Sequence, residues 1–493
     1  MKKNVLIILS SLFIGLFAGK VSAQNEEDVL RYSAPQLIGT ARYMGLGGAY
    51  GAVGADFSSL SSNPAGLGLY KRSDFSITPM LKFGNIESSY QGRTGTDSKN
   101  NFALGNVGFV LNFETSSKLD SRPFRNFQLG FGNNRITDFN NKTYIQGVNS
   151  QNSLLDTYLI YAGDKNPENL YAFDTRLAFD TYLIDTVPGE PIPTYVNAYS
   201  YIGGFTSALQ RKSIETEGSM NEWVISGGMN VNDQLYFGVT FGFPRIRYYQ
   251  ESTYNEVNQT EPNRDLDQFN YYEELETTGT GVNIKIGTIF RPLDWIRIGA
   301  AYHSPTWFNN MNDRWDTRMT AYYTNGDQFS ASSPIGEYSY DIKTPSKFLG
   351  SLALLFENDG LVSADYEYVN YGNGRLGPNI DFSTQNEVIK NNFDAASNFR
   401  VGTEWRVGLV QLRGGYAHYA SPFKSGINDG ALQQFTAGLG YRGKQYYVDA
   451  ALVYSLSEMD YFLYGSNLIS PVPTAVNTQK NYNFLLTIGY RFD

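Results

Sequence analysis

Tyr482-Asn483-Phe484-Leu485-Leu486-Thr487-Ile488-Gly489-Tyr490-Arg491-Phe492 is the stretch on which the fold turns. One parity holds Tyr482, Phe484, Leu486, Ile488, Tyr490 and Phe492, all apolar or aromatic, and the other holds Asn483, Leu485, Thr487, Gly489 and Arg491. Successive side chains of a strand point to opposite faces. A two-residue period with aromatics flanking an aliphatic middle is therefore what lipid outside and water inside select. The pattern repeats upstream. Tyr446, Val448, Ala450, Leu452 and Tyr454 alternate with Tyr447, Asp449, Ala451, Val453 and Ser455, and Phe435, Ala437, Leu439 and Tyr441 alternate with Gln434, Thr436, Gly438, Gly440 and Arg442. Only Gly443-Lys444-Gln445 lies between these two runs, a tight hairpin. Phe399, Val401, Thr403, Trp405 and Val407 stand against Arg400, Gly402, Glu404 and Arg406, and Val362, Ala364, Tyr366 and Tyr368 against Ser363, Asp365 and Glu367. Charges repeated along one face would be ruinous in a sandwich core but suit a wet lumen.

Further segments read as strands: 74–82, 102–114, 127–135, 222–231, 234–248, 281–290, 295–303, 315–323, 348–356 and 410–418. With the runs above they make about fifteen, whereas single-chain bacterial barrels carry an even number. Trp315 to Tyr323 alternates least clearly and is assigned to a loop, leaving about fourteen. Connections alternate in length. Arg291-Pro292-Leu293-Asp294 and Gly408-Leu409 are tight, whereas Ile136 to Met220, Gln250 to Thr278, Asn370 to Ser397 and Leu456 to Lys480 are long and polar, so the long loops face the outside. Asn169 to Asp185 has apolar residues at helical spacing and reads as a loop helix or as disorder. The predicted class is all-β: a transmembrane antiparallel β-barrel over residues 73–493, with an N-terminal plug, or hatch, of short helices and turns over residues 24–72 inside its lumen.

Composition narrows the functions. The 493 residues include no Cys and only two histidines, His303 and His418, which removes disulfides, thiolate nucleophiles and Cys- or His-rich metal centres. No metal or other cofactor is expected. A formal charge of −9 lacks the basic surplus that offsets phosphate, so nucleic acid is not expected as a partner. Lys2 and Lys3 precede an apolar run from Val5 to Ala18, and Val21-Ser22-Ala23 supplies small residues at cleavage spacing, so residues 1–23 read as a secretory signal peptide. Its removal takes three lysines and brings the charge to −12. An uncleaved anchor is disfavoured because the run is short and Lys20 follows it.

Residues 24–72 do not alternate. They contain Arg42-Tyr43-Met44-Gly45-Leu46-Gly47-Gly48-Ala49-Tyr50-Gly51-Ala52-Val53-Gly54-Ala55-Asp56 and then Asn63-Pro64-Ala65-Gly66-Leu67. A dinucleotide-binding reading of the glycines fails at Tyr50, and no strand precedes them. Small residues packed this densely suit short helices and turns pressed against a wall, and Asn63-Pro64 favours a fixed turn. In Gly45-x-Gly47-x-Ala49, Asp56 and Asn63-Pro64-Ala65-x-Leu67 the sequence resembles the FadL/TodX outer-membrane transporters of long-chain fatty acids and other hydrophobic compounds. Arg297-Ile298-Gly299-Ala300-Ala301-Tyr302-His303-Ser304-Pro305 looks like a family strand leading into a loop. Asp493, after the last aromatic, departs from the usual chain end.

The resemblance implies a bacterial outer-membrane protein, not an enzyme, which moves hydrophobic compounds by passive diffusion through a plugged barrel with lateral release. Gly45, Gly47, Asp56, Asn63, Pro64 and Ala65 would then be plug and gating residues. The family's third strand is kinked to give the exit, and Gly130 and Gly132, with Asn133 and Asn134, are the candidates for that kink; ordinary glycine usage in a barrel strand explains them equally. Arg400, Arg406 and Arg413 face inward by parity and are candidate contacts for a ligand carboxylate, the alternative being pairing with acids such as Glu404 or Asp365. Asp56 serves equally as a turn cap, and His303 reads as a solvated loop-edge residue. Expected partners are the hydrophobic small molecule, outer-membrane lipids and lipopolysaccharide, and the outer-membrane assembly machinery, for a monomer.

Rival readings differ in what they need. A general porin needs no plug, an adhesin would use the long loops, and an outer-membrane lipase needs a Ser-His pair for which His418 is the outward candidate without supporting context. About fifty residues are too few for the large globular plug of a TonB-type receptor.

Overall fold

The computed structural model describes residues 26–33, 38–114, 123–259, 265–357, 359–465 and 468–493; the signal-peptide reading of 1–23 lies outside them. One antiparallel sheet of nineteen segments closes on itself, and collinear segments join to give fourteen strands. These are β1 (Ser73–Tyr90), β2 (Arg93–Glu114), β3 (Phe124–Asp138, resuming as Asn141–Asn149), β4 (Ala208–Val231), β5 (Leu235–Asn258), β6 (Leu266–Leu293) and β7 (Ile296–His303, resuming as Trp307–Tyr323). Next come β8 (Gln328–Ser332, Gly336–Lys343 and Lys347–Phe356), β9 (Gly360–Asn370, then Arg375–Gly377), β10 (Ala395–Val407), β11 (Val410–Tyr419), β12 (Leu432–Arg442), β13 (Tyr446–Phe462) and β14 (Thr474–Phe492). β14 pairs with β1 from Ser73↔Phe492 to Ser89↔Val476, which closes the barrel.

The parities behave as lipid and lumen require. Tyr482, Phe484, Leu486 and Ile488 are 41–47% exposed, while Leu485 and Thr487 between them are 3% and 0% exposed. Two aromatic girdles bound the apolar band. Trp405, Tyr441, Tyr446 and Phe356 stand at the short-turn end and Tyr482, Phe435, Phe399 and Phe348 toward the loops. A closed barrel wearing such a band is a membrane-spanning barrel of the outer-membrane type.

One strand assignment is corrected. Trp315–Tyr323 is a strand, not a loop: it continues β7 beyond Ser304-Pro305-Thr306 and pairs with β6 down to Tyr323↔Leu266. The strand total is unchanged because this segment and 295–303 are one strand. The loops are also shorter than expected. β5 runs to Asn258, β6 starts at Leu266 and β13 runs to Phe462, because above the membrane the outer face no longer meets lipid and alternation fades while the backbone ladder continues.

The segment between β3 and β4 folds over the outer mouth. It carries α1 (Leu154–Ala162), α2 (Thr175–Asp180) and a two-stranded ribbon, Ile184–Thr186 with Tyr195–Asn197. The helix expected across Asn169–Asp185 is thus α2 alone, preceded by a 3-10 turn at Pro167–Asn169. Its core takes Leu155, Tyr158, Leu177 and Tyr199 together with rim residues Tyr90, Tyr254, Phe269, Met319 and Tyr464 from around the barrel, so the mouth is stoppered. At the centre of this cap Glu256, fully buried, accepts from Ser153 Oγ (2.5 Å), Tyr199 OH (2.7 Å), Gln210 Nε2 (3.0 Å) and Tyr254 OH. Ser153 is also the N-cap of α1. Glu256→Ala strips these donors of their acceptor, at about 1–3 kcal/mol for each buried group left unpaired. Hydrogen exchange should accelerate across Leu154–Ala162 while the amides of β14 stay protected; unchanged exchange in that helix would show that the cap does not depend on Glu256.

Candidate functional site

The plug fills the lumen below this cap. Its helices are Glu26–Ser33 and Ala41–Gly45, followed by 3-10 turns at Phe57–Leu60 and Pro64–Leu69. Thr40 caps the second helix, accepting from Tyr43 N (3.1 Å), and donates to both Asp56 oxygens (2.9 and 2.8 Å). Asp56 in turn accepts from Ser58 N (2.9 Å), so it caps a turn and ties two plug segments together. Asn63 does the same work at the next turn. Its Oδ1 accepts from Ala65 N (3.2 Å), while Nδ2 donates to Gly51 O in the plug (2.6 Å) and to Thr288 O in the wall (3.2 Å).

The Asn63-Pro64-Ala65 turn is seated on wall glycines. A Cβ on Gly238 would lie 2.1 Å from Pro64 C, and one on Gly287 would lie 1.8 Å from Asn63 Oδ1, so any side chain there would lift the turn off the wall. Gly45 and Gly47 rest on β11 and β12 in the same manner: Thr436 Oγ1 donates to Gly45 O (3.1 Å), and Gly47, at φ +64°, abuts Tyr416 N.

Opposite this seat the plug is held by charge. Arg42 donates Nε and Nη2 to the two oxygens of Glu404 (2.8 and 3.0 Å), and Arg413 Nε reaches the same carboxylate at 2.7 Å. Arg413 Nη1 meets Asp449 (2.7 Å), which Arg442 also meets (2.9 Å). Burial opposes charge on Arg42, yet the Glu404 carboxylate outweighs it and holds the guanidinium well above its ordinary range. Tyr50 N and Gly51 N donate to Asp365 (2.9 and 3.0 Å), and His303 Nε2 donates to Ser62 O (2.7 Å). His303 is therefore a plug clasp and not a solvated residue, since its ring lies inside the lumen against the plug turn.

Above the plug lies a cavity of about 110 Å³. Tyr32, Tyr43, Ile136, Met220, Phe308 and Leu349 give it an apolar lining. Lys285, Lys347, Glu222, Glu367 and Arg400 give it charge. Most of these charges are internally matched. Lys285 lies 2.6 Å from Glu222 across β5, an approach that works because Gly242 between them has no side chain: a Cβ there would lie 2.5 Å from the Glu222 carboxylate. Arg400 lies 3.4 Å from Glu367 and 3.9 Å from Asp365. Lys347 makes no ion pair within 4 Å among the described residues. Of the arginines singled out from the sequence, Arg400 lines this cavity already paired, and Arg413 is buried in the plug anchor. Arg406 sits at the short-turn rim, 42% exposed and 3.6 Å from Glu404, far from the cavity. Lys347 was missed because it stands one residue before the segment read as a strand; extending the parity of Phe348, Gly350 and Leu352 back by one residue turns it inward.

One edge of the cavity meets a breach in the wall. β2 and β3 pair from Glu114↔Asn126 to Asn106↔Asn134 and, among the described residues, no further. The ladder is unbroken at Gly130 and Gly132, which face Leu60 and Phe57 of the plug. The bend comes later, with an irregularity between Arg135 and Thr137 and a break at Phe139-Asn140. In the breach Ile38 N of the plug donates to Arg135 O (3.1 Å), and Arg135 Nε donates to Leu104 O on β2 (3.2 Å). Asp138, buried there, holds the bend together: it lies 3.1 Å from Arg135 and 3.3 Å from Lys82 and accepts from Asn101 Nδ2 (2.8 Å).

A membrane-spanning barrel whose lumen is filled by its own N-terminal segment is thereby defined. Among solved structures, it matches a FadL homologue from Pseudomonas aeruginosa over 93% of this chain and 99% of that one (TM-score 0.56, 12% identity). It matches the toluene transporter TodX of P. putida to the same extent (TM-score 0.54, 13% identity), and the toluene transporter TbuX of Ralstonia pickettii over 92% and 98% (TM-score 0.51, 14% identity). The fold is the FadL/TodX-type plugged barrel. No family model matches the sequence, and no curated protein matches it.

Proposed function

We propose that the chain is a passive outer-membrane channel for hydrophobic compounds, taking up ligand at the lumen cavity and releasing it sideways through the breach at the bend of β3. The observation that carries this reading is Ile136, which lines the cavity and belongs to the bend, so that cavity and breach share a wall. An apolar solute gains nothing from a watery pore, since exposing it costs about 25 cal/mol per Å². A route from an apolar cavity straight into lipid avoids that cost. The fold likeness supports this reading, as the neighbouring structures include toluene transporters. In this reading Gly45, Gly47, Asp56 and Asn63-Pro64-Ala65 keep the plug seated, residues 24–72 acting as the hatch. The exit is assigned to Arg135–Asn140 in place of Gly130 and Gly132. A ligand with an acidic head, a long-chain fatty acid among them, would meet Lys347 first, because Arg400 is already engaged and Arg406 faces away.

The absence of Cys permits a direct test. With Leu104→Cys and Arg135→Cys joined through disulfides by a short bis-methanethiosulfonate, uptake of an apolar fluorescent probe into proteoliposomes should fall to the protein-free rate and recover on reduction. Uptake that persists in the cross-linked protein would overturn lateral release.

A further inference from the structure

On the outer wall β5 departs from the pattern of its neighbours. Its lipid-facing residues Phe237, Phe241 and Phe243 end the apolar band, and the next two outward positions are Arg245 and Arg247, both exposed. Two residues of strand rise about 7 Å, so Arg245 stands immediately above the aromatic edge of the band, where the polar headgroups of the outer leaflet begin. Small polar side chains stand directly opposite both guanidinium groups, and the carboxylates of Glu217 and Glu276 lie one register step beyond, opposite Tyr249. Asn221 and Thr280 stand opposite Arg245, and Ser219 and Thr278 opposite Arg247. Neither arginine has a carboxylate within 4 Å among the described residues. At a comparable height on the other side of the barrel, Lys480 is paired with Glu87 at 3.8 Å.

We infer that Arg245 and Arg247 form a phosphate clamp for the phosphorylated glycolipid of the outer leaflet. The guanidinium fork matches phosphate oxygens bidentately, and two forks at i and i+2 on one strand face offer parallel donors. Ser219, Thr278, Thr280 and Asn221 supply neutral donors to the remaining oxygens. Phe243 and Trp223 beneath, 43% and 48% exposed, offer flat surfaces to the acyl chains of the same molecule. Exposed arginines without an ion pair at this height are what an anionic headgroup complements. The inference rests on the outer-membrane placement of the barrel and is independent of what crosses the lumen.

The test uses the full chain purified in detergent, with native mass spectrometry counting retained lipid. Bis-phosphorylated lipid A, its dephosphorylated form and phosphatidylglycerol are offered separately. The wild-type protein should retain bis-phosphorylated lipid A, and Arg245→Ala/Arg247→Ala should retain about tenfold less, as expected for the loss of charge-assisted bidentate bonds. Arg245→Lys/Arg247→Lys, which keeps the charge but not the fork, should fall between. Retention of the dephosphorylated form should be the same in all three proteins. A heat-modifiable band on electrophoresis and unchanged uptake of the apolar probe establish that the variants are folded and that the lumen is untouched. Equal lipid A retention by the double alanine variant, or phosphatidylglycerol retained as well as lipid A by the wild type, would overturn the clamp.

Discussion

Joining residue 23 to residue 73 turns a silent barrel into a conducting one in planar bilayers. Two barriers stand in series along the lumen of the full chain: the plug with its first helix, and the cap over the mouth. Removing 24–72 takes away the first and leaves a fourteen-stranded lumen below the cap, so conductance should rise on the order of tenfold over the full-length baseline, in interrupted openings as the cap moves. Removing residues 150–207 as well should make the openings steady. The emptied wall remains balanced, because Arg413 keeps both Glu404 and Asp449, and Arg400 keeps Glu367 and Asp365. Retained heat-modifiability checks that the truncated barrel closes. Steady, large channels from the intact chain would sink the plug reading and leave a porin.

What the sequence revealed of this architecture follows from where lipid acts on it. Across the apolar band each strand must show an apolar face outward, so Tyr482 to Phe492 and its counterparts on the other strands are legible one residue at a time. Beyond the band the constraint lapses. Trp315 to Tyr323 has water on its outer face and the cap core on its inner face, where Met319 and Ala321 are buried, so it reads as a loop although its ladder to β6 is continuous. The plug was visible as a failure to alternate, and its glycines as a demand for close approach, but the surfaces it approaches were not. The seat for Asn63-Pro64-Ala65 is made by Gly238 and Gly287, distant in sequence and without a motif of their own. The same holds for Glu222 and Lys285, which meet only because an intervening strand places Gly242 between them. The bend of β3 was expected at glycines because glycine weakens a ladder. It occurs instead where Asp138 gathers Arg135, Lys82 and Asn101, a polar knot that substitutes for the lost pairing and leaves no local sequence signature.

Replacing Glu404 by Ala should loosen the plug more than any other single substitution in the lumen. Its carboxylate is the only side chain bonded to both a plug guanidinium, Arg42, and a wall guanidinium, Arg413, among the described residues. Without it Arg42, Arg413 and Arg442 are left with Asp449 alone, and a buried charge stripped of its partner typically costs about 3–5 kcal/mol. That cost falls on the seated state, because an unseated plug returns Arg42 to water. Two consequences separate this from general destabilisation. Protease should cut within residues 26–72 of Glu404→Ala while the barrel band persists, and the full-length variant should show the interrupted openings expected of the plugless chain. Asp449→Asn tests the alternative: Asp449 ties wall to wall, so its loss should lower the heat-modification temperature without exposing the plug. A double-mutant cycle with Arg42→Ala isolates the contact itself. If the Arg42–Glu404 pair anchors the plug, Arg42→Ala/Glu404→Ala will be less destabilised than the sum of the two single variants, with a coupling energy of about 1–3 kcal/mol for a contacting pair. Additive losses would mean that the plug is held by its glycine seat and its bonds to Asp365 and His303, and that the bidentate contact only fills the space between plug and wall.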